Sequence, residues 1–178
     1  FDYWSTGYGF EYFYGFLAGE VSQYEPVMTR NTTQAPLHHD PKKPYHVTED
    51  IAQDAIKWLR EQKAYAPEKP FFMYWAPGAA HGPHQIFKEW ADKYKGKFDD
   101  GWDKYRERVF KNAKAKGWIP QNAKLTPRPE TMASWESIPE SEKPFQRRLM
   151  EVFAGFAEHA DYNAGLVIDE ISSNASVI

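Results

Sequence analysis

The sequence predicts part of an α/β domain, a few strands of a central sheet with flanking helices. Two observations point there. A short apolar run, Phe71-Phe72-Met73-Tyr74-Trp75, lies between Lys69-Pro70 and Pro77-Gly78 and reads as a strand buried on both faces. Long segments on either side of it repeat apolar residues at helical spacing. One buried strand beside three or four helices is too little sheet for a complete fold, because its backbone groups need neighbours. The 178 residues are therefore read as a segment of one larger domain, incomplete at both ends.

The elements follow in order. Residues 1–46 are rich in Gly and aromatics, with no sustained helical period, and Phe10 to Phe16 allows a short strand or turn. Residues 26–46 carry Pro26, Pro36, Pro41 and Pro44 among Asn, Thr and Lys, which is loop chemistry. A helix should begin at Thr48 as N-cap, with Glu49 and Asp50 complementing its positive end. Ile51, Ala55, Trp58 and Leu59 share its inner face, and it should fade before Pro67. After the apolar run, residues 87–95 predict a short helix with Phe87, Trp90, Ala91 and Tyr94 inward. A charged helix runs from about Trp102 to Lys116, stopped by Gly117. Residues 118–144 are a Pro-rich connection. A long helix then runs from about Pro144 to Ile171, with Phe145, Leu149, Val152, Phe153, Phe156, Ala160, Val167 and Ile171 as its apolar stripe.

Composition narrows the function. A formal charge of -3 gives no reason to expect nucleic acid or an anionic membrane as partner. No run of about 18 apolar residues predicts a membrane span. The start, Phe1-Asp2-Tyr3-Trp4, has neither an initiator Met nor a basic region leading into an apolar one, so no signal peptide is read there. The absence of Cys excludes disulfides and thiolate metal sites and leaves the compartment open. No Gly-rich phosphate loop, His-Glu-x-x-His or Gly-x-Ser-x-Gly motif is present.

The strongest candidate site is His81-Gly82-Pro83-His84, directly after the apolar run. Ligands in open α/β sheets bind beyond the carboxyl ends of strands. An imidazole there can donate to an anionic substrate or protonate a leaving group. By spacing alone, two His separated by Gly-Pro read more readily as loop residues bonded to backbone or solvated than as a site. The other clusters read as structure. His38-His39-Asp40 is a surface loop, and His46 and His159 are packing or capping residues. Asp99-Asp100 is a helix N-terminal charge pair, and the Lys and Arg run from Lys104 to Lys116 is a solvated face. No metal ligands are assigned in this chain.

Several segments, in order, resemble the sulfatase family, in particular its bacterial arylsulfatases. They are Gly9-Phe10-Glu11-Tyr12-Phe13-Tyr14-Gly15-Phe16-Leu17, Tyr45-His46-Val47-Thr48-Glu49-Asp50, Lys69-Pro70-Phe71-Phe72-Met73-Tyr74 with His81-Gly82-Pro83, Met150-Glu151-Val152-Phe153-Ala154-Gly155-Phe156, and Asp161-Tyr162-Asn163-Ala164-Gly165. The resemblance implies an alkaline-phosphatase-like fold and hydrolysis of small-molecule or carbohydrate sulfate esters. It implies a formylglycine nucleophile, made in a Cys/Ser-x-Pro-x-Arg motif, and a calcium ion. Neither has its residues here: Ser137-Ile138-Pro139-Glu140-Ser141 has Ser141 where Arg is required. The family's Lys-Trp-His-Leu-Gly motif and first metal carboxylates would precede Phe1, and the Asp-Asn pair completing the calcium site would follow residue 171. The tail from Asn174 departs from the pattern.

Only His81 carries over, as the histidine that bonds the sulfate group or assists the leaving oxygen. The isolated segment is expected to be inactive. Two other readings remain: a phosphonate or phosphate monoester hydrolase of the same superfamily, and a non-catalytic carbohydrate-binding or scaffold domain. The last would display the aromatics of residues 1–16 as an exposed patch.

Overall fold

The computed structural model describes residues 2–38, 40 and 42–174. Three short strands, β1 (Tyr14–Gly15), β2 (Met28–Arg30) and β3 (Thr33–Ala35), form an antiparallel sheet in that order. Four helices follow: α1 (Val47–Tyr65), α2 (Lys88–Asp92), α3 (Gly101–Ala115) and α4 (Lys143–Asn174). The fold is mixed α/β, and its small sheet comes from the N-terminal segment rather than from Phe71–Trp75.

The β2–β3 hairpin lies inside the Pro-rich stretch that reads as loop. Its register pairs Arg30 with Thr33, leaving a two-residue turn. Asn31 takes a left-handed conformation there, φ 53°. Asn tolerates that region better than most residues, and two-residue hairpins require it.

α1 and α4 form the spine. Ala52, Ala55, Ile56 and Leu59 of α1 pack with Val167 of α4, and Met73 and Trp75 close over them. Met28, Ala35, Val47 and Ile51 make a second cluster against the sheet, which Trp75 also touches. Arg60 of α1 holds Glu170 of α4 with Nε and Nη2 at 3.0 and 2.7 Å. α2 crosses α4 at Gly155, where an added Cβ would stand 2.7 Å from the Ala91 nitrogen.

The predicted strand differs in detail. Residues 71–75 pair with no other strand among the described residues. Met73 and Trp75 face the core, while Phe72 and Tyr74 are 75% and 76% exposed. The run is one-sided, since apolarity alone does not report whether a second layer covers the other face.

The helices keep close to expectation. α1 ends at Tyr65, before Pro67, but its N-cap is His46 rather than Thr48. α3 starts one residue early, and Gly117, φ 71°, ends it by donating to Lys114 O at 3.0 Å. α4 continues past Ile171 through Ser172 and Ser173. Its stripe is buried at Phe156 and Val167 but open at Phe145, Leu149 and Phe153.

Candidate functional site

The segment 78–85 leaves the apolar run and returns to the core before α2. Within it the His81 amide donates to the Gly78 carbonyl at 2.9 Å, which closes the turn. His81 is exposed. Its Nδ1 lies 2.8 Å from Gly82 O and 3.6 Å from Glu20 Oε2. With Nδ1–H donating to that carbonyl, Nε2 is the nitrogen turned to any ligand.

His84 behaves differently. Its Nε2 contacts Ala80 O at 3.2 Å, and its ring sits edge-on to Phe153, 5.0 Å away. Both loop histidines are exposed, but His84 rests against Phe153 of α4 and His81 does not.

His81 lines a groove floored by the apolar run and walled by the N-terminal aromatics. Tyr8, Phe10, Tyr12, Phe72 and Tyr74 line it too. Phe10 and Phe72 touch across it with ring centroids 6.1 Å apart. Lys69 bonds Glu11 at 2.9 Å at its edge. Most aromatics of residues 1–16 are half-buried in this wall, and Tyr3, Tyr8 and Phe10 are the exposed ones.

Beside the groove lies a polar network with no counterpart in the sequence reading. The buried carboxylate of Asp50 accepts from Tyr45 and Tyr14 at 2.7 and 2.9 Å, both on Oδ2. Burial pushes the Asp50 carboxyl upward, against the lowering effect of the two phenols. One turn on, Asp54 accepts from Tyr12 at 2.7 Å and Arg30 at 3.1 Å, and His38 Nε2 stands 3.1 Å from it. Burial and the Asp54 bond push Tyr12 up to about 12. The available signal was two Asp four residues apart on the buried side of an amphipathic helix, a costly placement unless both are bonded.

The remaining candidates fall as follows. His46 is 1% exposed: its Nδ1 accepts from the Thr48 amide at 3.2 Å, and its Nε2 lies 3.0 Å from Gln85 O. Burial and the neighbouring His159 lower its pKa to about 4. His159 is fully buried, 2.9 Å from Glu49. His38 joins the Asp54 network, and His39 lies outside the described residues. Asp99 and Asp100 are ion-paired to Arg147 and Arg108, and Asp100 makes no side-chain cap bond to α3. Ser137 bonds Ser134 O at 2.8 Å within a 3-10 turn. Among the described residues no three His, Asp or Glu side chains converge to hold a metal ion. No helix among them is long and apolar enough to cross a membrane.

Comparison with known proteins places this geometry. The chain is 32% identical over 151 residues to an uncharacterised sulfatase of Schizosaccharomyces pombe, covering 83% of this chain and 26% of that protein. It is 27% identical over 154 residues to an arylsulfatase of Klebsiella aerogenes, covering 86% and 31% respectively. It thus spans about a quarter to a third of the length of these relatives. The sequence pattern described as Sulfatase matches residues 2–177, so the chain belongs to the sulfatase family.

Proposed function

We propose that this chain is the central segment of the catalytic domain of a sulfuric ester hydrolase, with an alkaline-phosphatase-like fold in the full-length protein. The reaction is R–O–SO3⁻ + H2O → R–OH + HSO4⁻, on a small-molecule or carbohydrate sulfate ester. The observation that carries this reading is the sorting of the two loop histidines. Both are exposed and each has one ring nitrogen on a backbone carbonyl, but His84 turns its ring edge-on to Phe153 whereas His81 lines the aromatic groove with Nδ1 committed to Gly82 O. In its imidazolium form, with both ring nitrogens protonated, His81 then donates from Nε2 to the sulfate group or to the departing ester oxygen. The groove's aromatic faces take the apolar part of the ester.

In this reading the calcium and the formylglycine expected for the family are supplied by other parts of the full-length protein. The segment by itself is then inactive. In the full-length enzyme, His81→Ala should lower kcat/KM for a chromogenic aryl sulfate by about 10²–10³-fold, the usual loss of a donor at developing negative charge. His84→Ala should cost far less. A phosphate monoester assayed in parallel separates sulfatase from phosphatase chemistry. Near-wild-type rates for His81→Ala, with circular dichroism showing a folded protein, would refute the assignment.

A further inference from the structure

The His81 turn is bonded at its far end by His46 and Gln23 and packed at its near end against Gln23. At the far end, His46 reaches Gln85 O through Nε2 at 3.0 Å. The same ring accepts from the Thr48 amide through Nδ1 at 3.2 Å. An accepting Nδ1 carries no proton, so the proton sits on Nε2 and is donated to Gln85. Gln85 is gripped a second time, because its side-chain Oε1 accepts from the Gln23 amide at 2.7 Å. Gln23 O in turn accepts from the Val47 amide at 2.8 Å, next to His46 in the chain. These bonds close a ring through Gln23, Gln85, His46 and Val47. At the near end, the Gln23 side chain fills the space beside Gly78, where an added Cβ would stand 3.0 Å from its Nε2.

Both tethering residues are buried, Gln23 at 2% and His46 at 1% exposure. His46 packs against His159 of α4, ring centroids 4.4 Å apart, so the anchor is set in the α1–α4 spine. We infer that His46 and Gln23 are positioning residues, stapling the Gln85 end of the 78–85 turn to the start of α1 while Gln23 packs against its Gly78 end, so that His81 meets its substrate from a fixed backbone. The functional part of this inference rests on the reading of His81 given above.

The two nitrogens of His46 can be tested apart. In His46→Asn the short amide keeps the helix cap but falls short of Gln85. In His46→Gln the longer amide reaches Gln85 and abandons the cap. Gln85→Ala removes the Gln23 bond and leaves α1 untouched. Each variant of the 178-residue chain is examined by NMR, for His81 and Gly82 shifts and Thr48 amide exchange. Each variant of the full-length enzyme is assayed for kcat and KM with an aryl sulfate.

His46→Asn should retain Thr48 protection, move the His81 signals, and lower kcat by up to about 100-fold, as for a misplacement of about 1 Å. Gln85→Ala should move the same signals. His46→Gln should expose the Thr48 amide yet keep His81 and kcat near wild type. Identical His81 spectra in His46→Asn and His46→Gln would overturn the staple, whatever the rates. Moved His81 signals in His46→Asn without a fall in kcat would overturn its functional part. If His81→Ala is itself harmless, the sulfate-facing role fails, while the spectral contrast still decides the staple.

Discussion

Gly155→Ala sets two effects of known size against each other. Replacing a mid-helix Gly by Ala favours the helix by about 0.8–1 kcal/mol. At Gly155 the new Cβ would lie 2.7 Å from Ala91 N and Trp90 C, and 2.8 Å from Trp90 O. These are backbone atoms of α2, so no rotamer change relieves the overlap. α2 must lift by several tenths of an ångström, and overpacking of this kind costs about 1–3 kcal/mol. The displacement also strains Trp90, whose ring meets His159 at 5.0 Å. The net expectation is a loss of up to about 2 kcal/mol. At about 2–4 °C per kcal/mol for a chain of this size, Tm falls by up to about 8 °C. Gly165→Ala on the same helix is the matched control, since nothing lies within 4 Å of its Cβ position. It should be neutral or stabilising by up to about 1 kcal/mol. Thermal melts followed at 222 nm compare the two. A Gly155→Ala protein that melts as high as Gly165→Ala would refute the close-crossing argument.

Two further outcomes are expected. The His46 imidazole takes a proton near its ordinary 6.5 when unfolded but only at about 4 when folded, so the unfolded state binds more protons between those values. Its contribution is complete above about pH 6.5 and is lost as pH falls toward 4, by about 3 kcal/mol in total. Asp50, raised by burial, works in the opposite sense, so urea melts of wild type should be compared with His46→Gln, whose stability should fall less over that range. Equal slopes in the two proteins would refute the linkage. At Asp50 itself, Asn keeps the acceptor that Tyr14 and Tyr45 share, whereas Ala removes it; Asp50→Ala should be less stable than Asp50→Asn by about 1–3 kcal/mol in denaturant melts.

The helices were legible because periodicity reports one buried face directly. Ile51, Ala55 and Leu59 lie where their spacing placed them, and Gly117 stops α3 with the positive φ its position demanded. The hairpin was not legible: strands of three residues are too short to show alternation, and flanking prolines masked them. The run 71–75 showed its apolarity, but apolarity does not report pairing, and the run joins no strand among the described residues. His46 read as a capping or packing residue, and it does both. Its hold on Gln85 was invisible, because the acceptor is a backbone carbonyl 39 residues away and backbone atoms leave no mark on sequence. The Asp50 and Asp54 network was not read, because its partners come from two separate segments, Tyr12 and Tyr14 from the short strand or turn at 10–16 and Arg30 and Tyr45 from the stretch that read as loop.

The one-sided run 71–75 has a practical consequence for handling this polypeptide. An extended stretch with Phe72 and Tyr74 turned to solvent is an open template onto which another chain can add a strand. Proline cannot donate to a β-ladder, and Pro70 and Pro77 stand at either end of the stretch. Any intermolecular ladder that starts there is therefore confined to about the six residues between them. Concentration-dependent association of the isolated chain should begin in that window, and a lysine at position 74 is the smallest change that would blunt it.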